Sequence, residues 1–203
     1  IQAARDALDI AKVYDAYLSV SVGIKNDPHV NKAVIDYDRC ANCGSCAAVC
    51  PQGAIHYAKV KKIKCIGCGR CWKVCSRAAI SYVSEEKNLE EVLPSIVDKG
   101  IDCIEFHAMG LDEEEITSKW EYINDNYEGI LSICTSRGKL SDEALIKRIK
   151  TMIKDRKPYT TIIQADGFPM SGGEDDYKTT LQAVATAEIV QNANLPVYLI
   201  LSG

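Results

Sequence analysis

The sequence predicts an α/β protein, a parallel sheet of strands alternating with helices, interrupted early by a small cysteine-rich module. Three observations predict it. Short apolar runs alternate with amphipathic segments of 12–17 residues through the second half of the chain. Eight of the ten cysteines fall between Cys40 and Cys75. One strand-like run precedes that cluster and four follow it. Alternation on this length scale is the pattern of strands joined by crossover helices.

Taken in order, Ile1 to about Tyr14 has helical spacing, with Ala4, Ala7, Leu8 and Ala11 on one face. Ala16–Gly23 reads as a strand, and Asn26-Asp-Pro-His29 as a turn toward the cysteines. Beyond them, Leu89–Lys99 is helical and Ile101–His107 is a buried strand. Asp112–Asn124 is a helix whose first turn is acidic, which suits the helix dipole. Gly129–Thr135 is the next strand, and Ser141–Lys154 a helix capped by Ser141. Thr160–Ala165 is a strand, Asp176–Asn192 a helix and Leu195–Leu201 a final strand. Five strands in this pattern predict a partial TIM-barrel-like β/α domain, with a doubly wound open sheet as the alternative. The expected divisions are 1–35, the N-terminal part of the α/β domain; 36–83, the inserted α+β module; and 84–203, the C-terminal β/α domain.

A chain of 203 residues, 47% hydrophobic, can bury one substantial core plus a small module, and disorder is excluded. No run approaches the roughly 20 apolar residues of a membrane helix, so no membrane span is expected. The N-terminus lacks a charged-then-apolar signal pattern. The chain opens within a helix and stops where a strand ends, so a longer precursor is expected. Cysteines spread through a small secreted domain would indicate disulfides; cysteines packed into 36 residues indicate metal in a reducing compartment.

The cluster is an internal repeat. Cys40-Ala-Asn-Cys43-Gly-Ser-Cys46-Ala-Ala-Val-Cys50-Pro51 returns as Cys65-Ile-Gly-Cys68-Gly-Arg-Cys71-Trp-Lys-Val-Cys75-Ser76, shifted by 25 residues. The likeness continues from Ala54-Ile55 to Ala79-Ile80 and from Tyr57 to Tyr82, as duplication of a whole unit requires. The spacing is that of a bacterial ferredoxin-type module holding two [4Fe–4S] clusters, in which the fourth cysteine of each run serves the other cluster. One cluster is assigned to Cys40, Cys43, Cys46 and Cys75, the other to Cys65, Cys68, Cys71 and Cys50. Structural zinc takes paired C-x2-C units and does not account for two runs of four. Gly44, Gly67 and Gly69 are expected to let the backbone approach cluster sulfurs; Val49, Ile55, Ile66, Val74 and Ile80 are expected to exclude water. Ser76 stands where the first repeat has Pro51.

Charge separates along the chain. Arg39, Lys59, Lys61, Lys62, Lys64, Arg70, Lys73 and Arg77 lie between Arg39 and Tyr82 with no acid among them, so all 28 acids lie elsewhere. Each oxidised cubane with four thiolates carries about −2, which leaves the loaded module about +4. Positive surroundings favour the reduced state, so potentials above those of an acidic ferredoxin are expected; that the Lys59–Lys64 run is simply a solvated loop is the equal alternative. The expected partner is an acidic protein, not a nucleic acid.

In parallel β/α folds, chemistry gathers at the carboxyl ends of strands. Glu105, His107, Thr135, Arg137, Gln164, Asp166, Ser202 and Gly203 stand there. Glu105, His107, Arg137 and Asp166 are the candidates for catalysis, with a flavin as the cofactor such a site could take; an ordinary polar rim is the competing reading. Ser171-Gly172-Gly173 has a phosphate-loop look, but Glu174, Asp175 and Asp176 follow and repel an anion. Cys103 and Cys134 read as small apolar core residues. His29 and His56 belong to no constellation.

Several stretches resemble the LdpA (light-dependent period) family of cyanobacterial and plastid iron–sulfur proteins. They are Ala3-Ala-Arg-Asp6, Leu18-Ser-Val-Ser21, Asp27-Pro-His29, the cysteine module, Gln164-Ala-Asp-Gly167, Pro169-Met-Ser-Gly172 and Leu201-Ser-Gly203. The resemblance implies an iron–sulfur protein that senses or relays redox state, an input to the circadian clock in cyanobacteria, with no established catalysis. It implies a cyanobacterial cytoplasm or chloroplast stroma, and a clock-related partner or a larger photosynthetic or plastid complex. Two other functions fit the sequence: a flavin- or substrate-linked oxidoreductase at the barrel mouth, and a structural iron–sulfur subunit.

Overall fold

Val20, Val22, Ile104, Phe106, Leu131, Ile133 and Ile163 occupy alternate positions of four short segments, and those segments line up in one sheet. The computed structural model describes residues 1–24, 30–84, 87–167 and 176–202. In chain order its elements begin with α1 (Gln2–Ala11), β1 (Ser19–Val22), β2 (Asn31–Ile35), α2 (Ser45–Ala48), β3 (Ile55–His56) and β4 (Lys59–Val60). Then come α3 (Arg70–Lys73), β5 (Ile80–Ser84), α4 (Leu89–Val97), β6 (Cys103–His107), α5 (Glu113–Asn126) and β7 (Ile130–Thr135). The last four are α6 (Asp142–Ile153), β8 (Thr161–Asp166), α7 (Asp176–Asn192) and β9 (Tyr198–Ser202). They fall into two units, Ile1–Ile24 with Lys87–Gly203, and Lys25–Glu86.

The larger unit holds a five-stranded sheet in the order β1-β6-β7-β8-β9, every pairing parallel. Strand order follows chain order, so these strands contain no reversal of the kind that marks a doubly wound switch point. Alternation gives the sheet two different faces. Ile104, Phe106, Leu131, Ile133 and Ile163 are fully buried against Leu93, Ile116, Trp120, Ile123, Leu145, Ile149 and Val190 of the helices. The opposite face is mixed: Ile130, Ile162, Tyr198 and Ile200 share it with Ser21, Cys103, Glu105, His107, Ser132, Cys134, Gln164 and Asp166, the polar groups gathering toward the carboxyl ends of the middle strands.

Local chemistry starts the helices where the sequence predicts. Asn88, Asp112 and Ser141 accept hydrogen bonds from the amides of Glu90, Glu115 and Ala144 at 3.0, 3.0 and 3.2 Å. Each such cap contributes about 1 kcal/mol. The first helix departs from expectation: it ends at Ala11, where Lys12 turns left-handed at φ 53°, and none of its residues is buried. Its anchor is polar, Arg5 bonding the Gly100 carbonyl and lying 3.3 Å from Asp102.

The smaller unit pairs β2 with β5 antiparallel, and β3 with β4. Its core is slight: Ala33, Ile35, Ile55, Cys71 and Ile80, with other cysteines packed around them. So little apolar volume does not hold about 60 residues together without a further tie.

Arg148 fixes the loop that follows β6. Its side chain is 3% exposed and donates to the Ala108 carbonyl at 2.7 Å, the Gly110 carbonyl at 3.0 Å and the Glu113 carboxylate. Glu113 is itself open to solvent, so removing the arginine strands two carbonyls and not a buried charge. Arg148→Met is expected to lower stability by about 1–3 kcal/mol, read from the urea midpoint of the far-ultraviolet dichroism. A shift below about 0.5 kcal/mol, the scale of ordinary surface changes, refutes this role.

Candidate metal centre

The duplication is written in the backbone as well as the sequence. Gly44 and Gly69 take left-handed φ values of 79° and 82° and start α2 and α3. Asn42 and Gly67, at 49° and 66°, and Gly53 and Ala78, at 53° and 46°, repeat the same 25-residue relation. A Cβ at Gly44 or Gly69 meets nothing within 4 Å. Glycine supplies the left-handed turn there. Cys43 and Cys46 flank that turn in one half, Cys68 and Cys71 in the other.

Two cavities result. Cys40, Cys43, Cys46 and Cys75 line one of about 400 Å³, walled by Ile35 and Ile80. Cys50, Cys65, Cys68 and Cys71 line the second with Ala33, Ile55 and Tyr82. The fourth thiol of each run therefore lies with the first three of the other. All eight are free thiols. A group of four sulfurs at one cavity matches the donor set of an iron–sulfur cubane.

Backbone amides point at these sulfurs. Ala54 N–H lies 3.2 Å from Cys50 Sγ and Ala79 N–H 3.3 Å from Cys75 Sγ, a pair related by the repeat. Asn42 and Ala33 amides approach Cys40 and Cys65 at 3.4 Å. The Ser45 hydroxyl, 3.4 Å from Cys43 Sγ, holds that thiol below its usual range. Burial pushes Cys46 and Cys71 up. One difference between the halves touches a sulfur: the Tyr82 hydroxyl sits 3.3 Å from Cys71 Sγ, while its counterpart Tyr57 is 91% exposed. Ile55 and Ile80 are buried as expected and Val49 and Ile66 partly so, but Val74 is 39% exposed and does not shield the centre. Arg39, Lys59, Lys61, Lys62, Lys64, Lys73 and Arg77 are exposed, and Arg70 is half-buried.

The strand-end candidates divide. Glu105, His107 and Asp166 share the mixed face of the larger sheet; Arg137 instead pairs with Asp142 at 3.2 Å. Thr135 faces the helices, its hydroxyl buried without a partner among the described residues. Cys134 is not merely an apolar core residue. It is 2% exposed, faces His107 in register, and donates its thiol hydrogen to Asp166 Oδ2 at 2.6 Å. His107 Nε2 is 3.6 Å from Glu105 Oε1, Ser21 bonds Glu105, and Gln164 donates to Asp166 Oδ1 at 3.1 Å. His107 holds Glu105 below the usual carboxylate range, while burial pushes Asp166 up. Register was the missing signal: only adjacency of β6 and β7 brings Cys134 to His107. His56 is exposed, and His29, Gly203 and the 171–173 loop lie outside the described residues.

Residues 95–203 match the model of the light dependent period A C-terminal domain. Residues 45–86 match the LdpA Fe-S cluster-binding domain, and residues 33–56 a 4Fe-4S binding domain. No curated protein and no solved structure matches the chain.

Proposed function

We propose a function on one premise: the chain belongs to the light dependent period A (LdpA) family of iron–sulfur proteins, whose C-terminal model covers more than half of it. The function is electron relay or redox sensing, by which cellular redox or light state is passed to a partner. The observation that carries it is the pair of cavities, each walled by four thiols drawn from both repeats. Cys40, Cys43, Cys46 and Cys75 would hold one [4Fe–4S] cluster, and Cys50, Cys65, Cys68 and Cys71 the other. Each cluster, when bound, supplies a one-electron redox centre.

The chain's own groups set the poise. Amides of Ala33, Asn42, Ala54 and Ala79 and the Tyr82 hydroxyl donate toward thiolate sulfurs, and so favour the more negative, reduced state. Exposed lysines and arginines, with no acid between Arg39 and Tyr82, suit an acidic protein partner. The sequential strand order of the larger unit supports a partial TIM-barrel-like fold. Family membership supports a light- or clock-linked role in a cyanobacterial cytoplasm or a chloroplast stroma.

Anaerobic EPR during a redox titration tests the reading, with two reducible [4Fe–4S] signals expected in the physiological range. Clusters that resist reduction throughout that range would make the module structural and sink the relay. Cys68→Ser is expected to leave about four irons per chain in place of eight, counted by chemical iron analysis; an unchanged count removes Cys68 from the ligand set. Tyr82→Phe is expected to lower the potential of one cluster by about 40 mV, one hydrogen bond's worth, and leave the other in place. Lys61→Glu with Lys64→Glu is expected to slow reduction by an acidic ferredoxin and flatten its dependence on salt; equal salt slopes would remove those lysines from the docking surface.

A further inference from the structure

The mixed face of the five-stranded sheet uses none of the eight clustered cysteines, yet it gathers ligand-type atoms of three kinds. One ligand atom each from Glu105, His107 and Cys134 lies within 4.8 Å of the others. β6 supplies Glu105 and His107 from positions two apart, hence on one face, and β7 supplies Cys134 directly beside His107. Asp166, on β8, is already 2.6 Å from the Cys134 sulfur. All four stand toward the carboxyl ends of parallel strands, where such sheets place their ligands.

We propose that this face binds one zinc ion through Glu105, His107 and Cys134, with water at the fourth position. Size permits it. Zinc bonds of about 2.0–2.3 Å in a tetrahedron put ligand atoms roughly 3.3–3.7 Å apart, so the three groups need to close by no more than about 1.5 Å. Side chains half-buried at a strand end can do that by rotamer adjustment. The donor set selects the ion: a thiolate and an imidazole disfavour calcium and magnesium, which take oxygen, and suit borderline zinc. Charge balances as well, since Glu105 and the Cys134 thiolate match a divalent cation while His107 stays neutral. On binding, a zinc–sulfur bond replaces the S–H bond and the proton leaves to water; nothing is oxidised or reduced.

A cysteine nucleophile activated by His107 is the competing use of these residues. Cys134 argues against it, being 2% exposed with its thiol turned to the Asp166 carboxylate. Burial denies the sulfur a substrate, whereas a bound metal ion itself stabilises the thiolate it needs.

The test uses the full chain, purified anaerobically with its clusters in place, and zinc ion alone as probe. Zinc is titrated against a chromophoric chelator, and iron and sulfide are counted before and after. The expected result is one zinc per chain, a rise in melting temperature with zinc, and no loss of iron. His107→Gln and Glu105→Gln, both at half-buried positions, are expected to weaken zinc binding at least tenfold with iron content and dichroism unchanged. Cys134→Ser is expected to do the same, and the two milder variants stand if it folds poorly. Absence of zinc uptake by cluster-loaded protein overturns the proposal. So does uptake that His107→Gln and Glu105→Gln leave as tight as before. Because iron content is read separately, failure here is distinguishable from failure of the cluster reading.

Discussion

Eight thiols must be gathered into two groups of four by a unit that has almost no other interior. The core of that unit is Ala33, Ile35, Ile55, Cys71 and Ile80, and cysteines make up most of what packs around it. Because each run's fourth thiol lies with the other run's first three, neither half can complete a group of four alone. The two halves are thereby interdependent, and clusters bound as proposed would tie them together where apolar burial is too small. The left-handed turns at Gly44 and Gly69, the short helices behind them and the amides aimed at sulfur all follow from that requirement.

The β/α unit was legible almost element by element, because its signals are local. Alternating apolar residues specify strands, and Asn88, Asp112 and Ser141 carry their own caps. Where the structure departs, the deciding contact is distant in sequence. The helix at the N-terminus has apolar spacing, yet it is held by Arg5 reaching Gly100 and Asp102, almost a hundred residues away. Val74 sits at the repeat position of Val49 and was read as a shield, but it lies 39% exposed. Repeat position conveys backbone geometry faithfully; it does not convey which side chains the two halves bury.

The strand-end residues show the same division. The carboxyl-end rule singled out Glu105, His107 and Asp166, and period-two alternation accounts for Glu105 and His107 sharing one face. Arg137 satisfied that rule equally well and went to Asp142, since a residue beyond the strand is no longer bound to the pleat. Cys134 was missed because its sequence neighbours, Ile133 and Thr135, are both buried, which made the whole run look like core. Half of that impression was correct. Ile133 and Thr135 face the helices; Cys134, between them, faces the other way into the polar layer.

That layer costs the fold something. A sheet face carrying Glu105, His107, Cys134 and Asp166 forgoes the burial that Val or Ile would contribute there, about 1.5–3 kcal/mol for each side chain fully buried. The groups offset part of the loss by bonding one another: His107 with Glu105, Cys134 with Asp166, Gln164 with Asp166. Such bonds contribute only about 0.5–1.5 kcal/mol each. Burial nonetheless pushes Asp166 above the usual carboxylate range, so its environment opposes the charge it would carry in water. An apolar layer would be more stable, which makes mutual satisfaction a weak reason for four such residues to share three adjacent strands. A cation in their midst changes the sign of that balance, because it turns the Glu105 carboxylate and the Cys134 sulfur into ligands. The sheet face and the cysteine module then follow one rule: groups that are costly to bury stand together where a metal makes their burial favourable.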